Sequence, residues 1–296
     1  MIERHVVYYL GSKVVAATLN LAAVAIFARL AGPAGYGEYL IAFAWAYIVY
    51  GFTIQWVRFS FFASYRAEAA AEQIATYNHT MWGALVIIAL AAFATRALGL
   101  LPTHTILAVV SLVFGLALYD GAHEISRSRL KAEAVAAAVV LRAVLMLAFG
   151  VAALKIYGTA TSLAVAVAIA HILAIVPLMR DIVPHLTGAL SPGTARGFLR
   201  FGWPLILAFG VNSVGQNADR LLLANLSGVH VVGPYGAVND LIKQCMVVLS
   251  EAIAGAYIAI AKRAAAEGGD ARAHEVLEQR SEEHTSELQS RTQIAY

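Results

Sequence analysis

The sequence predicts an all-α membrane protein that crosses the bilayer about eight times. Hydrophobic residues make up 60% of its 296 residues and charged residues only 13%, whereas a soluble domain carries about 25% charged residues. The apolar residues come in blocks of about 20, the length that a helix needs to cross a bilayer. They do not alternate with a period of two, which indicates helices rather than the strands of a membrane barrel.

The apolar blocks that meet this length requirement run along most of the chain. The first follows Glu3 and Arg4 and has no small-residue cleavage site after it, so it is predicted to be an uncleaved helix rather than a signal peptide. The only cysteine, Cys245, lies within the last block, so a disulfide within the chain is excluded. The predicted spans are residues 8–30, 37–62, 80–101, 105–123, 134–154, 159–179, 201–225 and 231–260.

Lysine and arginine residues between the spans predict the orientation of the chain. Cytoplasmic loops of membrane proteins carry an excess of these residues. If the N-terminus is cytoplasmic, only Arg29, Arg96 and Lys155 fall outside. The basic residues that then lie inside are Arg4, Arg66, Arg127, Arg129, Lys131, Arg180, Arg196, Arg200, Lys262, Arg263 and Arg272. Both ends of residues 1–279 are therefore predicted to be cytoplasmic.

One loop of the sequence is repeated. Residues 28–39 read "ARLAGPAGYGEY" and residues 224–235 read "ANLSGVHVVGPY", and both fit A-x-L-x-G-x-x-x-x-G-x-Y. The copies start 196 residues apart, at 28 and 224, and an even number of predicted spans puts them on the same side of the membrane. The pattern predicts two parallel repeats related by an axis along the membrane normal. A chance match in a sequence rich in alanine and glycine is the alternative.

The repeat predicts the domain organisation. Residues 1–196 are expected to form a complete six-helix lobe, and residues 197–279 the first two helices of a second lobe. The segment "RSEEHTSELQS" at 280–290 resembles the in-frame translation of a sequencing-library adaptor, so we expect residues 280–296 to be non-native. A polar, disordered cytoplasmic tail is the alternative. We therefore expect residues 1–279 to be a fragment that inserts into membranes and transports nothing.

The repeated loops also carry a family resemblance. Residues 28–39 resemble the "aR-x-LG-x-x-x-yG-x-y" loop of the polysaccharide biosynthesis proteins, the O-antigen and exopolysaccharide flippases of the multidrug/oligosaccharidyl-lipid/polysaccharide exporter superfamily. Residues 201–241 are similar to the start of the second lobe in that family, where a glycine-proline opening precedes "aDrlll" and "G-x-Y". The resemblance implies two helical lobes, a central cavity and alternating access for lipid-linked sugars. The sequence departs from the family in lacking the last four spans.

Basic side chains within the spans are the candidates for substrate binding, because a charge in the membrane is costly unless it is paired or faces water. Arg58 and Arg142 carry guanidinium groups, which match the oxygens of a pyrophosphate. Alternatively, Arg58 snorkels to lipid headgroups. Lys13 lies on the same helix face as Asn20, which suits either a cavity or an interfacial anchor. We predict that Arg58, Arg142 and Lys13 bind substrate.

Charges near the end of the chain are predicted to have a structural or an ion-coupling role. Asp219 and Arg220 are neighbours and point about 100° apart on a helix, so each needs a partner on another helix. Lys243 is the expected partner of Asp219, and the favoured interpretation is an ion pair between the seventh and eighth spans. Alternatively, Lys243 pairs with Asp240 three residues before it.

The segment "HEISRSRLKAE" at 123–133 is predicted to be a charged loop between the fourth and fifth spans. The positive-inside rule makes such a loop an anchor on the cytoplasmic side. Binding of lipid headgroups is the alternative interpretation.

These observations predict a flippase that moves a lipid-linked oligosaccharide of the polyprenyl pyrophosphate type across the bacterial cytoplasmic membrane, for surface polysaccharides such as lipopolysaccharide O-antigen. A cation-coupled drug exporter of the same superfamily is an alternative, but the spans of the first lobe hold only Asp120 and Glu38 as acidic residues, both near span ends. A membrane-embedded glycosyltransferase or polysaccharide polymerase is a further alternative, but the outer loops hold no paired carboxylates.

Several kinds of site are not expected in this chain. The sequence holds no nucleophile–base pair, no metal-ligand spacing and no phosphate-binding glycine loop, so we predict no enzyme activity, no metal and no cofactor. The pI of about 9.0 reflects arginines in the loops and does not imply binding of nucleic acid. The expected partners are the lipid-linked oligosaccharide and membrane lipids.

Overall fold

The computed structural model describes residues 2–246, with side chains for 11–180 and 182–246. One compact unit covers residues 1–242, and a second begins at Lys243. The rest of the predicted span at 231–260 and the segment 280–296 lie outside the described residues.

The fold is all-α, as predicted. Eight α-helices have both ends within the described residues, and residues 229–246 form a further helical segment. These are α1 Ile2–Thr53, α2 Gln55–Ser64, α3 Ala70–Ala97, α4 Thr103–Ser128, α5 Ala132–Ile156, α6 Ala160–Leu173, α7 Met179–Ile182 and α8 Pro192–Ser227. Short 3₁₀ turns lie at Ala67–Ala69, Val176–Leu178 and Val183–His185.

Six helical segments of the described chain are long and apolar enough to cross a membrane. Apolar side chains cover their outer surfaces, as expected where lipid is the solvent: Ile87, Leu90 and Phe93 on α3 are 66%, 63% and 73% exposed. The sequence predicts about eight spans. The structure has six such segments, because most of the first two predicted spans lies on the single helix α1 and the last predicted span, 231–260, extends beyond the described residues. The protein is therefore a multi-pass membrane protein.

Helix α1 consists of two arms, residues 2–31 and 33–53, that meet at Gly32. Its apolar stretch of 43 residues would be about 65 Å long if it were straight, twice the thickness of the hydrocarbon core. Gly32 has φ 69° and ψ 171°, a conformation that is essentially restricted to glycine. Pro33 then opens the second arm, a position at which its missing N–H costs nothing.

Gly228 repeats the backbone conformation of Gly32. It ends α8 with φ 90° and ψ 159°, and a new helix starts at residue 229. Gly32 and Gly228 occupy the same position in the two copies of the A-x-L-x-G-x-x-x-x-G-x-Y pattern. In both copies of the pattern, the helix is therefore interrupted at the equivalent glycine.

The two copies of the pattern also contact each other. A Cβ atom at Gly37 would overlap the carbonyl oxygen of Val229, and a Cβ atom at Gly233 would overlap the carbonyl oxygen of Pro33. Gly37 and Gly233 are equivalent positions of the pattern, and Pro33 and Val229 are equivalent as well. The contact is thus reciprocal, and glycine is required on both sides because backbone atoms fill the space.

One face of α8 packs along the second arm of α1 and along α2. Glycines bring the helices close together: a Cβ atom at Gly202 would overlap the Trp56 ring, and one at Gly210 would overlap the Phe52 ring. Small residues at such contacts drive the association of helices in membranes. The buried residues of α8 follow helical spacing and are Phe198, Gly202, Gly210, Ser213, Asn217 and Arg220.

The start of α8 is tied to α3. The Ser191 side chain caps α8 by accepting from the Thr194 N–H, and the Ser191 N–H donates to Thr76 Oγ1 at 3.1 Å. The Thr194 hydroxyl donates to Glu72 Oε1 at 2.6 Å. The segment that precedes α8 is therefore held against the helices of the N-terminal half.

Candidate functional site: a charged network between the helices

Two carboxylates lie one helical turn apart on α4 and form the centre of the candidate site. Asp120 and Glu124 are four residues apart, so they lie on the same face of the helix. The prediction of a loop at 123–133 is wrong, because α4 continues to Ser128 and only residues 129–131 join it to α5. Glu124 is 3% exposed, so it lies inside the bundle rather than in a loop.

The guanidinium of Arg58 bridges the two carboxylates. Arg58 NH1 donates to Asp120 Oδ2 at 2.8 Å, and NH2 donates to Glu124 Oε2 at 3.2 Å. Arg58 lies on α2, and its side chain is 18% exposed. The structure thus directs this arginine to acidic side chains of α4. The sequence suggested two interpretations of Arg58, substrate binding and snorkelling to headgroups. Neither interpretation predicted that Asp120 and Glu124 are its partners.

Tyr50 completes the same hydrogen-bond network from α1. Its hydroxyl donates to Asp120 Oδ2 at 2.7 Å and accepts from Arg58 NH1 at 2.5 Å. Tyr50 is 2% exposed, and a buried hydroxyl of this kind needs a partner. Three helices, α1, α2 and α4, therefore meet at the Asp120 carboxylate.

Arg127 forms a second ion pair with Glu124. Its Nε donates to Glu124 Oε1 at 2.9 Å, and its guanidinium lies 4.4 Å from the centre of the Phe62 ring. Arg58 and Arg127 together neutralise Asp120 and Glu124 when all four groups are charged. Removing one member of a buried ion pair costs about 3–5 kcal/mol, because the other charge is left without compensation.

Arg142 lies in a different environment, on α5. Its NH1 lies 3.3 Å from His171 Nε2, and its guanidinium lies 5.3 Å from the centre of the Tyr119 ring. The other ring nitrogen of His171, Nδ1, lies 2.7 Å from the Val167 carbonyl oxygen. A carbonyl only accepts, so Nδ1 carries the proton and Nε2 is free to accept from Arg142.

The partners of Arg142 within the described residues are therefore uncharged. His171 is neutral in this hydrogen-bond arrangement, and Tyr119 offers the face of its ring, which attracts a cation. The Nε atom of Arg142 is buried and has no hydrogen-bond partner among the described residues. Among the residues that the structure describes, the positive charge of Arg142 is thus not matched by a carboxylate, in contrast to that of Arg58.

Arg58 and Arg142 approach the same part of α4, because Tyr119 and Asp120 are adjacent. Lys13, the third predicted substrate-binding residue, lies half-buried on α1 and is not without an interaction partner. Asn20, predicted to share a face with Lys13, has a buried Oδ1 without a hydrogen-bond partner among the described residues.

The charges of α8 pair differently from the arrangement that the sequence suggests. Arg220, which is 5% exposed, forms an ion pair with Asp240 of the following helix. Asp219 accepts a hydrogen bond from the Tyr235 hydroxyl at 2.7 Å. Lys243, the partner expected for Asp219, is exposed and belongs to the second compact unit. An ion pair does join α8 to the next helix, but through Arg220.

Sequence reasoning missed four members of the site: Tyr50, Tyr119, Glu124 and His171. The spacing of Asp120 and Glu124, four residues apart, was a detectable signal of a shared helix face. It was overlooked because the predicted fourth span ended at residue 123, before Glu124. His171 was detectable as a histidine within an otherwise apolar span. Tyr50 had no such signal, because only the packing of α1 on α4 brings it to Asp120. No group of residues in the described part of the chain is arranged to hold a metal ion.

Comparison with known proteins identifies a fold but no family. No family model matches the sequence, and no curated protein matches it. A solved structure named only "protein A" is similar, with a TM-score of 0.58 and 18% identity over 86% of this chain. The match covers 62% of that protein, so the chain spans about three fifths of its length. At this identity, the similarity concerns the fold alone.

Proposed function

We propose that the chain is part of a flippase-type transporter that moves an anionic, lipid-linked saccharide across the bacterial cytoplasmic membrane. The observation that carries the proposal is the charge of Arg142, which lies in a candidate span and faces only neutral partners among the described residues. Charged residues within membrane spans mark substrate or ion pathways. An unmatched guanidinium with a free N–H is suited to phosphate oxygens.

The repeated loops support a transporter of two lobes. Gly32 and Gly228 share a backbone conformation, and Gly37 and Gly233 make reciprocal contacts. Reciprocal contact of equivalent positions is the signature of a two-fold relationship. Transporters built from parallel repeats move substrate by rocking one repeat against the other around a site at their interface. We place residues 1–196 in the first lobe and 197–279 in the second, with the N-terminus in the cytoplasm.

The carboxylates of α4 favour a second candidate, a cation-coupled exporter. Such a transporter needs acidic residues in the first lobe, and the structure adds Glu124 to Asp120 on a candidate span. Both carboxylates are paired with Arg58, however, whereas Arg142 has no acidic partner among the described residues. The unpaired charge therefore favours an anionic substrate.

Complementation tests the proposal. The longer parent gene that the repeat predicts is expressed in a host that lacks its own flippase and makes the matching saccharide. We expect Arg142→Gln to reduce surface polysaccharide at least tenfold at equal membrane abundance, and Arg142→Lys to retain part of the export because it keeps the charge. Lys155→Gln is the matched control, since Lys155 is an exposed cation on the same helix.

The outcomes separate the candidates. Wild-type export by Arg142→Gln would contradict the assigned role of Arg142. Efflux of cationic drugs by the parent protein, without restored polysaccharide, would favour the exporter instead.

A further inference from the structure

The two copies of the repeated pattern can be compared position by position, because a shift of 196 residues relates them. Residues at the contact between the copies are buried in both. Tyr36 and its equivalent Val232 are buried, and so are Leu40 and its equivalent Gly236. A Cβ atom at Gly236 would overlap the Leu40 side chain. At these positions, each copy therefore covers the other.

A second face, on the helix that follows the interrupting glycine, is buried in the first copy only. Tyr39 is 7% exposed, whereas its equivalent Tyr235 is 40% exposed. Ala42 is 5% exposed, whereas its equivalent Val238 is 57% exposed. Tyr39 and Ala42 belong to the core that α1 forms with α4, α5 and α6. The second copy presents an equivalent face but has no equivalent cover within the described part of the chain.

Polar residues of α8 extend this exposed face. Ala16 and Ala23 of α1 are buried, but their equivalents are Asn212, which is exposed, and Asp219, which is half-buried. Asn212 and Asp219 are seven residues apart, so they lie on one side of α8. The helix is a candidate span, and lipid chains cannot form hydrogen bonds with polar groups. The face is therefore suited to another helix rather than to lipid. We name Asn212, Asp219, Tyr235 and Val238 the open face.

The charge of Asp219 indicates which kind of helix fits the open face. Its carboxylate accepts hydrogen bonds from the Tyr235 hydroxyl at 2.7 Å and from the Arg220 backbone N–H at 2.8 Å, both of them neutral donors. The Arg220 guanidinium is paired with Asp240 instead. Asp219 makes no ion pair with any other residue that the structure describes. A carboxylate within a span is costly unless it is paired, and its complement is a basic side chain.

We propose that the open face docks a transmembrane helix that presents a basic side chain to Asp219. The proposal rests on the two-lobe arrangement of the proposed function and adds the charge that a helix of the second lobe must carry. Polar contacts between helices favour their association in membranes. A second copy of this chain is a poorer occupant, because the same face on both copies would bring two unmatched carboxylates into one contact.

Disulfide cross-linking to synthetic helices tests the proposal in the full chain. The chain carries Val238→Cys and Cys245→Ser and is reconstituted in phosphatidylcholine vesicles. The probe is a transmembrane peptide of leucine and alanine with one cysteine and one central arginine, and matched peptides carry leucine or glutamate in place of the arginine. We expect the arginine peptide to cross-link about tenfold more than the leucine peptide, and the glutamate peptide no more than the leucine peptide.

A second cysteine position controls for random collision in the bilayer. Val211→Cys replaces Val238→Cys, because Val211 and its equivalent Val15 are both exposed and so face lipid in both copies. We expect little cross-linking there with any of the three peptides. Equal preference for the arginine peptide at Val211→Cys would overturn the proposal, since the open face would then have no special role.

Charge variants test the role of Asp219. Asp219→Asn should reduce cross-linking of the arginine peptide to the level of the leucine peptide. Glu38→Gln is the matched control, because it removes an exposed carboxylate of α1 that is not part of the open face, and it should keep the preference.

Three results would contradict the proposal. They are equal cross-linking of the arginine and leucine peptides, an unchanged preference in Asp219→Asn, and disulfides between two copies of the chain that the arginine peptide does not displace. The last result would identify a second copy as the occupant. Export is not measured, so a failure here is distinguishable from a failure of the complementation test.

Discussion

Gly37 and Gly233 pack against each other's helices in a reciprocal manner, although 196 residues separate them in the sequence. A Cβ atom at Gly37 would overlap the Val229 carbonyl oxygen, and one at Gly233 would overlap the Pro33 carbonyl oxygen. Backbone atoms cannot move aside as a flexible side chain can. The two helices therefore cross so closely that only glycine, which has no side chain, fits at these two positions.

Substitution of either glycine tests this crossing. We expect Gly37→Ala and Gly233→Ala each to lower the free energy of unfolding in detergent by about 1–3 kcal/mol, because the added methyl group overpacks the contact. Gly83→Ala is the control, since no atom lies within 4 Å of a Cβ placed there. Thermal unfolding of the purified variants measures the effect. Wild-type stability of both variants would be incompatible with the reciprocal contact.

The ion pair between Arg220 and Asp240 is predicted to stabilise the association of α8 with the next helix. Arg220 is 5% exposed, so Arg220→Met leaves Asp240 without its buried cation and should cost about 3–5 kcal/mol. Asp240→Asn should cost at least as much, because it leaves the charge of Arg220, the more deeply buried member of the pair, without its carboxylate. A double-mutant cycle measured by unfolding in detergent gives the coupling.

Strict additivity of the two substitutions would show that the pair contributes no coupling energy. Lys243→Gln is a charge-removal control on an exposed residue of the following segment. It should leave the unfolding transition within about 0.5 kcal/mol of the wild type.

The distribution of basic residues predicts the topology. Reporter fusions after Gly99 and Tyr157 should lie outside, and fusions after Glu72 and Lys131 should lie in the cytoplasm, because loops rich in lysine and arginine stay inside. Activity of periplasmic and cytoplasmic reporters at each site measures the orientation. An outside position for the Lys131 fusion would reverse the assignment, because Arg129 and Lys131 both lie in the junction between α4 and α5.

Much of the fold follows from local chemistry. A low charge content and blocks of about 20 apolar residues require helices in a membrane, since the backbone must satisfy its own hydrogen bonds there. Ends of helices were less predictable. Glu124 and Arg127 are polar and suggested a loop, yet they continue α4 because their charges compensate each other within the bundle.

The candidate site was only partly predictable for a related reason. The sequence marks Arg58 and Arg142 equally, as arginines among apolar neighbours. It contains no information on which of them meets a carboxylate. Their partners come from helices that are distant in the chain, at separations of 62 residues for Asp120 and 29 for His171.

The sequence by itself determined that this protein is helical, that it belongs in a membrane and that two of its loops share one pattern. Those properties depend on composition and on short-range spacing, which each segment carries alone. Only the tertiary structure decided that Arg58 is neutralised by Asp120 and Glu124 while Arg142 faces His171 and Tyr119. The physical reason is that the partners of a buried charge are the groups that pack against it. Packing brings together helices that are far apart in the sequence, so the sequence alone does not show whether such a charge is compensated.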